Sequence, residues 1–584
     1  MKLRDRNYSR VRPKSVAAPV LCALVTSLAA SLFVMAEAGA QVKEVTRHNG
    51  AFEEVSAQLK LHFQHQQSPT LNKYLIETMG GGVALLDYDN DGRLDIFFTN
   101  GAQLFDPMPA SSQPDKSDPK FWNRLYHQNA NGGFDDATAT AGLSGNPVSG
   151  YSMGVAVGDY DNDGFADILV TGYSRSVLYR NNGKGQFTDV TANAGVRGTG
   201  WMVSAGFVDY NKDGHLDLFV TRYLDWNFQN NRYCGDRVPG HRAYCHPENF
   251  PPVSNLLYRN NGDGTFADVS KESGIANKKG KALGVAFADY DNDGWMDIFV
   301  ANDSVQCFLF HNNADGTFTE AGLTSGAGLN HDGRAFAGMG TDFADYDNDG
   351  LPDIVVTDLS NERYVLFRNL GAGTFSDESS ASDLARITML FSGWGTRFLD
   401  YDNDGWKDLF VAQGHVLDNV HKTSGNLSYE QPPLLARNER GKFVRVSVSG
   451  AIDPPRAGRG AAFGDIDNDG DIDVVVSNLG QGPSLLRNCT GRSNHWLGFR
   501  LQGTRSNRDG IGARIELVSG TNFKQSYTVT TSSSYLSASD RRVVVGLGSD
   551  MIAKSVSIHW PTGVVQKLTN VKGDRMLTVT EPRQ

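Results

Sequence analysis

The chain has 584 residues, 21% of them charged, and a formal net charge of -11. An acidic balance of this size argues against a nucleic-acid binder, which needs a basic surface. Residues 1–40 hold six basic and two acidic side chains, so their removal takes the charge from -11 to -15. Carboxylates in such excess call for cations.

The N-terminus carries Lys2, Arg4, Arg6, Arg10, Arg12 and Lys14, followed by an uncharged, mostly apolar run from Val16 to Ala36. Ala38-Gly39-Ala40 before Gln41 forms an A-x-A processing site, so 1–40 reads as a secretory signal peptide. The run is long enough to span a bilayer, which leaves an uncleaved anchor as the alternative. Pro19 and the small-residue tail favour cleavage, and Leu21 before Cys22 disfavours lipidation. No later segment is apolar enough to cross a membrane, so stable insertion after cleavage is not expected.

The central feature is a nine-residue pattern, Asp-x-Asp/Asn-x-Asp-Gly-x-x-Asp, that occurs seven times with starts roughly 50 to 80 residues apart. Four carboxylate positions in nine residues repel one another unless a cation sits between them. The first copy offers Asp87, Asp89, Asp91 and Asp95, with the carbonyl of Arg93 as a further oxygen. The second offers Asp159, Asp161, Asp163 and Asp167, and the third Asp209, Asn211, Asp213 and Asp217. The fourth and fifth offer Asp289, Asp291, Asp293 and Asp297, then Asp345, Asp347, Asp349 and Asp353. The last two offer Asp400, Asp402, Asp404 and Asp408, then Asp465, Asp467, Asp469 and Asp473. A glycine at the sixth position permits the sharp turn that makes these oxygens converge. Dense all-oxygen coordination suits Ca2+, at about seven sites. Asn211 and the neighbouring Lys212 make the third copy the weakest binder.

The opening of each loop matches the EF-hand expression, but an EF-hand needs a bidentate Glu at the twelfth position and flanking helices. The twelfth positions here are Phe98, Val170, Val220, Val300, Val356, Val411 and Val476. Each loop leads into a β-branched apolar run such as "LDLFVTR" or "MDIFVAN", so it joins two strands. A second motif runs in step, as in "NLLYRNNGDGTFADVSKESGI" from Asn255 to Ile275, where Asn-Gly and Asp-Gly steps mark hairpins. The repeat unit is therefore four antiparallel strands. The predicted fold is all-β: a seven-bladed β-propeller with calcium loops over 41–494, followed by a small β-sandwich-like domain over 495–581. The last unit stops at "SLLRNCTG", and "HNGAFEEVS" (His48 to Ser56) resembles the missing fourth strand. Residues 48–56 are accordingly expected to close the last blade.

Cys234 and Cys245 share one irregular insertion and are expected to form a disulfide, whereas Cys307 and Cys489 read as buried free thiols. The long insertions, Gly101 to Phe121, Tyr223 to Pro252 and His415 to Pro433, all fall on the face opposite the metal loops, the usual binding face of a repeat protein. His241, His246, His415 and His421 lie on insertions without the spacing of a transition-metal pair.

The metal loops and blades resemble FG-GAP/VCBS-type repeats, as in the integrin α-subunit propeller. The tail, with Gly510-Ile-Gly-Ala-Arg514 and Trp560-Pro-Thr-Gly563, resembles the ASPIC/UnbV domain. Together they resemble the cartilage acidic protein family. The resemblance implies a secreted, calcium-stabilised protein, with calcium on the first, third, fifth and ninth positions of each loop, and supplies no catalytic set.

Catalytic candidates are sparse. Asp303, Asp358 and His331 fall near strand ends that are expected to ring the axial opening, the common ligand position of a propeller. The favoured expectation is an exported binding or scaffold protein whose extracellular or periplasmic ligand is a glycan or a surface protein. The alternatives are an enzyme of hydrolase or cyclase type using the mouth, and integrin-like adhesion through calcium.

Overall fold

The computed structural model of the chain describes residues 50–145, 150–450, 453–490 and 493–583. The expected signal peptide, 1–40, lies outside them, as do His48 and Asn49.

Each repeat folds as an antiparallel sheet in strand order one to four. In the second, Tyr151–Gly158, Asp167–Tyr173, Val177–Asn181 and Phe187–Asp189 pair in succession. Every residue of the first strand is buried and nearly every residue of the second. Sheets covered on both faces by their neighbours need such continuous apolar runs, not alternation. The short fourth strand has one buried residue, Phe187, and leaves the rest at the rim.

Seven such sheets occur among the described residues. Their first strands are Val83–Leu86, Tyr151–Gly158, Met202–Val208, Ala282–Ala288, Thr341–Ala344, Gly393–Leu399 and Gly458–Gly464. They touch in that cyclic order, the last against the first, so they surround an axis. The molecule is a β-propeller, and the sheets are its blades. In the last blade the fourth strand is Phe52–Glu54, which pairs antiparallel with Ser484–Asn488. Phe52 is buried against Tyr401 and Phe410 of the preceding blade.

The tail forms two sheets. One orders Val543–Gly548, His495–Gln502 and Arg575–Thr580; the other orders Lys524–Thr528, Arg514–Ser519, Ile552–His559 and Val565–Lys572. Alternate residues of Arg514–Ser519 are buried, and Phe499, Ile515, Val545, Ile558 and Trp560 share the core between the sheets.

The chain between these sheets, Thr530 to Asp540, leaves the sandwich and runs into the axis of the propeller. Ala538 exchanges backbone hydrogen bonds with Val83 and Leu85, Val155 N–H donates to Leu536 O, and Thr341 and Ser534 bond each other in both directions. Asp540 N–H donates to Phe463 O. Hydroxyls complete the set: Thr531 Oγ1 donates to Val157 O, and Ser534 Oγ donates to Ala461 O and accepts from Thr396 N–H. Leu536 N–H donates to Ser204 Oγ. The inner edge of a blade is a row of unpaired backbone groups, and this small, hydroxyl-rich segment satisfies it. Ser534 and Leu536 take left-handed backbone (φ 73° and 58°), a cost these contacts offset. The axial opening expected from the sequence is thus filled by the protein's own tail.

At the far end of the axis, Tyr535 Oη donates to Met79 O (2.7 Å) and its ring meets Trp394 at 4.9 Å. Both residues of the tip, Tyr535 and Leu536, join an apolar cluster with Tyr74, Met79 and Trp201, and with Trp226 and Tyr244 of one insertion. Cys234 and Cys245 are joined within that insertion. Cys307 is buried, whereas Cys489 is only half-buried, because it lies just beyond a strand end.

Removing residues 41–56 strips the edge of Ser484–Asn488 and uncovers Tyr401 and Phe410. The shortened protein should be insoluble or melt without cooperativity, and a monomeric, cooperatively melting product would contradict this closure. Leu536→Asp places an unpaired carboxylate in the axis and should cost about 3–5 kcal/mol in urea denaturation.

Candidate metal loops and the closed axis

The seven loops share one geometry. The fourth position of each is left-handed (φ between 57° and 60°), from Asn90 to Asn468 with Lys212 in the third copy, and the sixth-position glycine follows at φ between 85° and 95°. The first aspartate then accepts the glycine N–H through Oδ2, as Asp159 does from Gly164 (2.7 Å). The ninth aspartate spans two elements: Asp167 Oδ2 accepts Tyr160 N–H (3.2 Å), and its Oδ1 accepts Asn181 N–H of strand three (2.7 Å).

The remaining carboxylate oxygens converge without enough donors. Asp87, Asp209, Asp289 and Asp345 each hold Oδ1 buried with no hydrogen-bond partner. Ligand oxygens of Asp87, Asp89 and Asp95, of Asp159, Asp161 and Asp167, and of Asp289, Asp291 and Asp293 lie within 4.8 Å of one another. Burial, reinforced by neighbouring aspartates, pushes Asp95 up to about 8 and Asp159, Asp209, Asp297 and Asp465 up to about 7. Asp217, Asp353, Asp408 and Asp473 are held well above the usual carboxylate range for the same reason. Groups this strained in the charged state fit a hard divalent cation, which would supply the missing partner for each orphaned oxygen. In the third loop Asn211 Nδ2 turns to Asp213 (2.9 Å), and Lys212 Nζ sits 4.2 Å over the Trp295 ring.

The catalytic candidates do not assemble. Asp303 is 7% exposed and accepts from Tyr223 Oη (2.5 Å) and Ser304 Oγ (2.8 Å). Asp358 is 1% exposed and accepts from Ala337 and Leu359 N–H (3.1 and 2.7 Å). Burial and the adjacent Glu362 hold its carboxyl well above the usual range. Both flank Phe336–Ala337, an extra strand paired onto Asp297–Val305, and so anchor it. His331 is exposed on a separate turn, where its N–H donates to Asp377.

Three contributions were not deduced from the sequence. An asparagine at or near the end of the third strand clips its blade to the preceding one: Asn181, Asn260, Asn312, Asn369, Asn438 and Asn488 donate through Nδ2 to Tyr88, Tyr160, Tyr210, Tyr290, Tyr346 and Tyr401 O. Gln128 Nε2 donates to Ile466 O and closes the circle. The recurring Asn of Leu-Tyr-Arg-Asn was the available signal. Secondly, the tail lies on the loop face. Arg542 Nη2 donates to Asp465 O (2.7 Å), Asp159 N–H donates to Asp509 (2.9 Å), and Arg508 N–H donates to Asn162 (2.8 Å). Thirdly, a cavity of about 300 Å³ opens between the fourth and fifth loops and the tail, lined by Asp289, Asp345, Arg397, Lys407, Tyr527 and Trp560 among others.

These loops and blades match a known repeat. The FG-GAP-like repeat model covers residues 87–170, 159–220, 251–300, 290–356 and 345–411, just over half the sequence. The chain belongs to the FG-GAP-like repeat family. Its tail matches the ASPIC and UnbV model over residues 503–584. Cartilage acidic protein 1 of Homo sapiens is 28% identical over 331 residues, 54% of this chain and 46% of that protein. The Mus musculus protein is 27% identical over 331 residues, 54% and 47%. The chain spans about half the length of these curated relatives. Two solved structures align at TM-scores of 0.38. One is an Agrocybe aegerita lectin described as recognising non-reducing terminal N-acetylglucosamine (20% identity, 64% of this chain and 81% of that one). The other is YCF48 bound to D1 peptide (7% identity, 71% and 94%). At those scores neither bears on the function of this FG-GAP-like protein.

Raised carboxyl pKa values destabilise a cation-free fold as pH rises from about 4 through 7, because the folded state keeps protons that the unfolded chain releases. A bound cation removes that cost. Calcium should therefore raise the melting temperature more at pH 8 than at pH 5, by about 10–20 °C at the higher pH if most loops bind. Calorimetry with and without chelator at both values checks this.

Proposed function

We propose that the protein is an exported binding or scaffold protein, a seven-bladed propeller whose loops are clamped by calcium and whose recognition surface is the insertion face. The observation that carries this reading is the occupancy of the other surfaces. The tail fills the axis and packs against part of the loop face, so the insertions form the side it leaves open.

That side is built as one platform. Asn231 Nδ2 donates to Asn72 O, Asn72 reaches Asp106, and Asn419 Nδ2 donates to Arg242 O (2.9 Å). Leu71, Phe105, Tyr233 and Val238 stand out from it, 84%, 44%, 46% and 56% exposed. Arg242 and Arg237 lie 4.9 and 5.9 Å from the Tyr233 ring. Exposed apolar and aromatic groups on a rigid, bonded base favour association with a partner. Guanidinium groups stacked over an exposed aromatic ring suit an acidic glycan or an acidic surface protein.

Export is supported by the basic and apolar N-terminal run and by the resemblance to cartilage acidic protein 1. Among the described residues no helix is long and apolar enough to cross a membrane. The enzyme reading is disfavoured by the filled axis. Integrin-like adhesion through calcium is disfavoured by the tail lying over the loops.

The test is binding of the calcium-loaded protein to glycan arrays and to intact cells. Chelation should abolish binding, and Tyr233→Ser with Val238→Ser should weaken it about tenfold or more while leaving the melting temperature nearly unchanged. Binding indifferent to both treatments would contradict the reading, as would turnover abolished by Asp303→Asn and Asp358→Asn.

A further inference from the structure

The third strand of each blade sets one long side chain beside its own metal loop. In five blades it is arginine: Arg180, Arg259, Arg368, Arg437 and Arg487. Two of these grip their loops. Arg368 Nε lies 2.5 Å from Asp347 and its Nη2 3.0 Å from Asp349; Arg180 reaches Asp161 at 2.6 Å and Asp163 at 3.4 Å. A guanidinium has no lone pair to offer a metal. Blades one and four carry histidine instead, His127 and His311.

The geometry in blade four is specific. His311 Nδ1 lies 3.4 Å from Asp291 Oδ2 and 3.4 Å from Asp297 Oδ1. The Nδ1 atom itself is shielded from solvent, although the ring is 30% exposed. Donors held at bonds of about 2.0–2.1 Å around a tetrahedral ion stand about 3.3–3.4 Å apart. In blade one His127 Nδ1 lies 3.0 Å from Asp95 Oδ1, the counterpart of Asp297, and 3.7 Å from Asp89, while its Nε2 is 4.0 Å from Asp91. Asp89, Asp91 and His127, like Asp291, Asp297 and His311, keep their ligand atoms within 4.8 Å of one another. Both loops contain a buried oxygen without a hydrogen-bond partner, Asp87 Oδ1 and Asp289 Oδ1, as do the arginine blades of Asp209 and Asp345, so these oxygens mark a cation loop and the histidine alone sets blades one and four apart.

We propose that blades one and four each form a mixed nitrogen-and-oxygen site for a borderline divalent ion of the zinc class, whereas the five arginine blades accept only hard, oxygen-bound cations. Imidazole joined to carboxylate favours zinc, cobalt or nickel over calcium. The proposal rests on the loops being cation sites at all. The competing role is an imidazolium that merely replaces the guanidinium as counter-charge.

Zinc by calorimetry and cobalt(II) by visible absorption, titrated into the full calcium-loaded chain, separate the two. Two equivalents should bind, with the absorption of nitrogen-ligated cobalt. His127→Arg and His311→Arg should each remove one equivalent, and the double variant both. The double variant should keep its calcium-dependent melting within a few degrees, since five blades already carry arginine. Cobalt and zinc binding that is absent from the parent, or unchanged in the double variant, would overturn the proposal. A chain whose melting ignores calcium would overturn the loop reading, and this inference with it.

Discussion

The structure depends on the burial of the last aspartate in each loop. Asp95, Asp297 and their equivalents are fully shielded, yet each carboxylate bonds two backbone N–H groups, one in the loop and one in strand three. That bridge sets the angle between the second and third strands and aims the adjoining asparagine at the previous blade. Two hydrogen bonds to a buried carboxylate fall short of its hydration, so the arrangement keeps an appetite for a proton or a cation. Fold and ion chemistry are therefore one network: what satisfies the charge also tightens the contact between blades.

Both ends of the described chain complete that network from outside the repeats. Phe52–Glu54 supplies a strand the last blade lacks, and the hydroxyl-rich stretch near residue 535 supplies partners for the inner edges of the blades. A propeller axis is commonly a place for ligands. Here Thr531, Ser534, Leu536 and Ala538 occupy it with main-chain bonds that a mobile ligand would have to break. The tail is in this sense an eighth element of the ring as well as a separate sandwich.

The strands and turns of the repeat were legible because their causes are local. Glycine and asparagine at fixed offsets force the loop, and apolar runs on either side force paired strands. The kinship of His48 to Ser56 with the fourth strands was visible in the same way. The asparagine clips were visible as letters but not as contacts, because Asn488 meets Tyr401 in another repeat. The axial segment gave less: Thr530 to Ser539 has neither period nor charge, and only the unpaired inner edges explain its composition. Polar residues at strand ends misled for a related reason. Asp303 and Asp358 face a cover built from distant insertions, which turns an expected mouth into an interior.

The wedge at Tyr535 also dictates timing. Residue 52 pairs with residue 488, and inner-edge groups of most blades are satisfied by residues beyond 530. Until those late residues have been synthesised, most blades have inner-edge groups without a partner. The segment that fills the axis is thus made after every blade, so the complete core exists only once the whole tail has been synthesised.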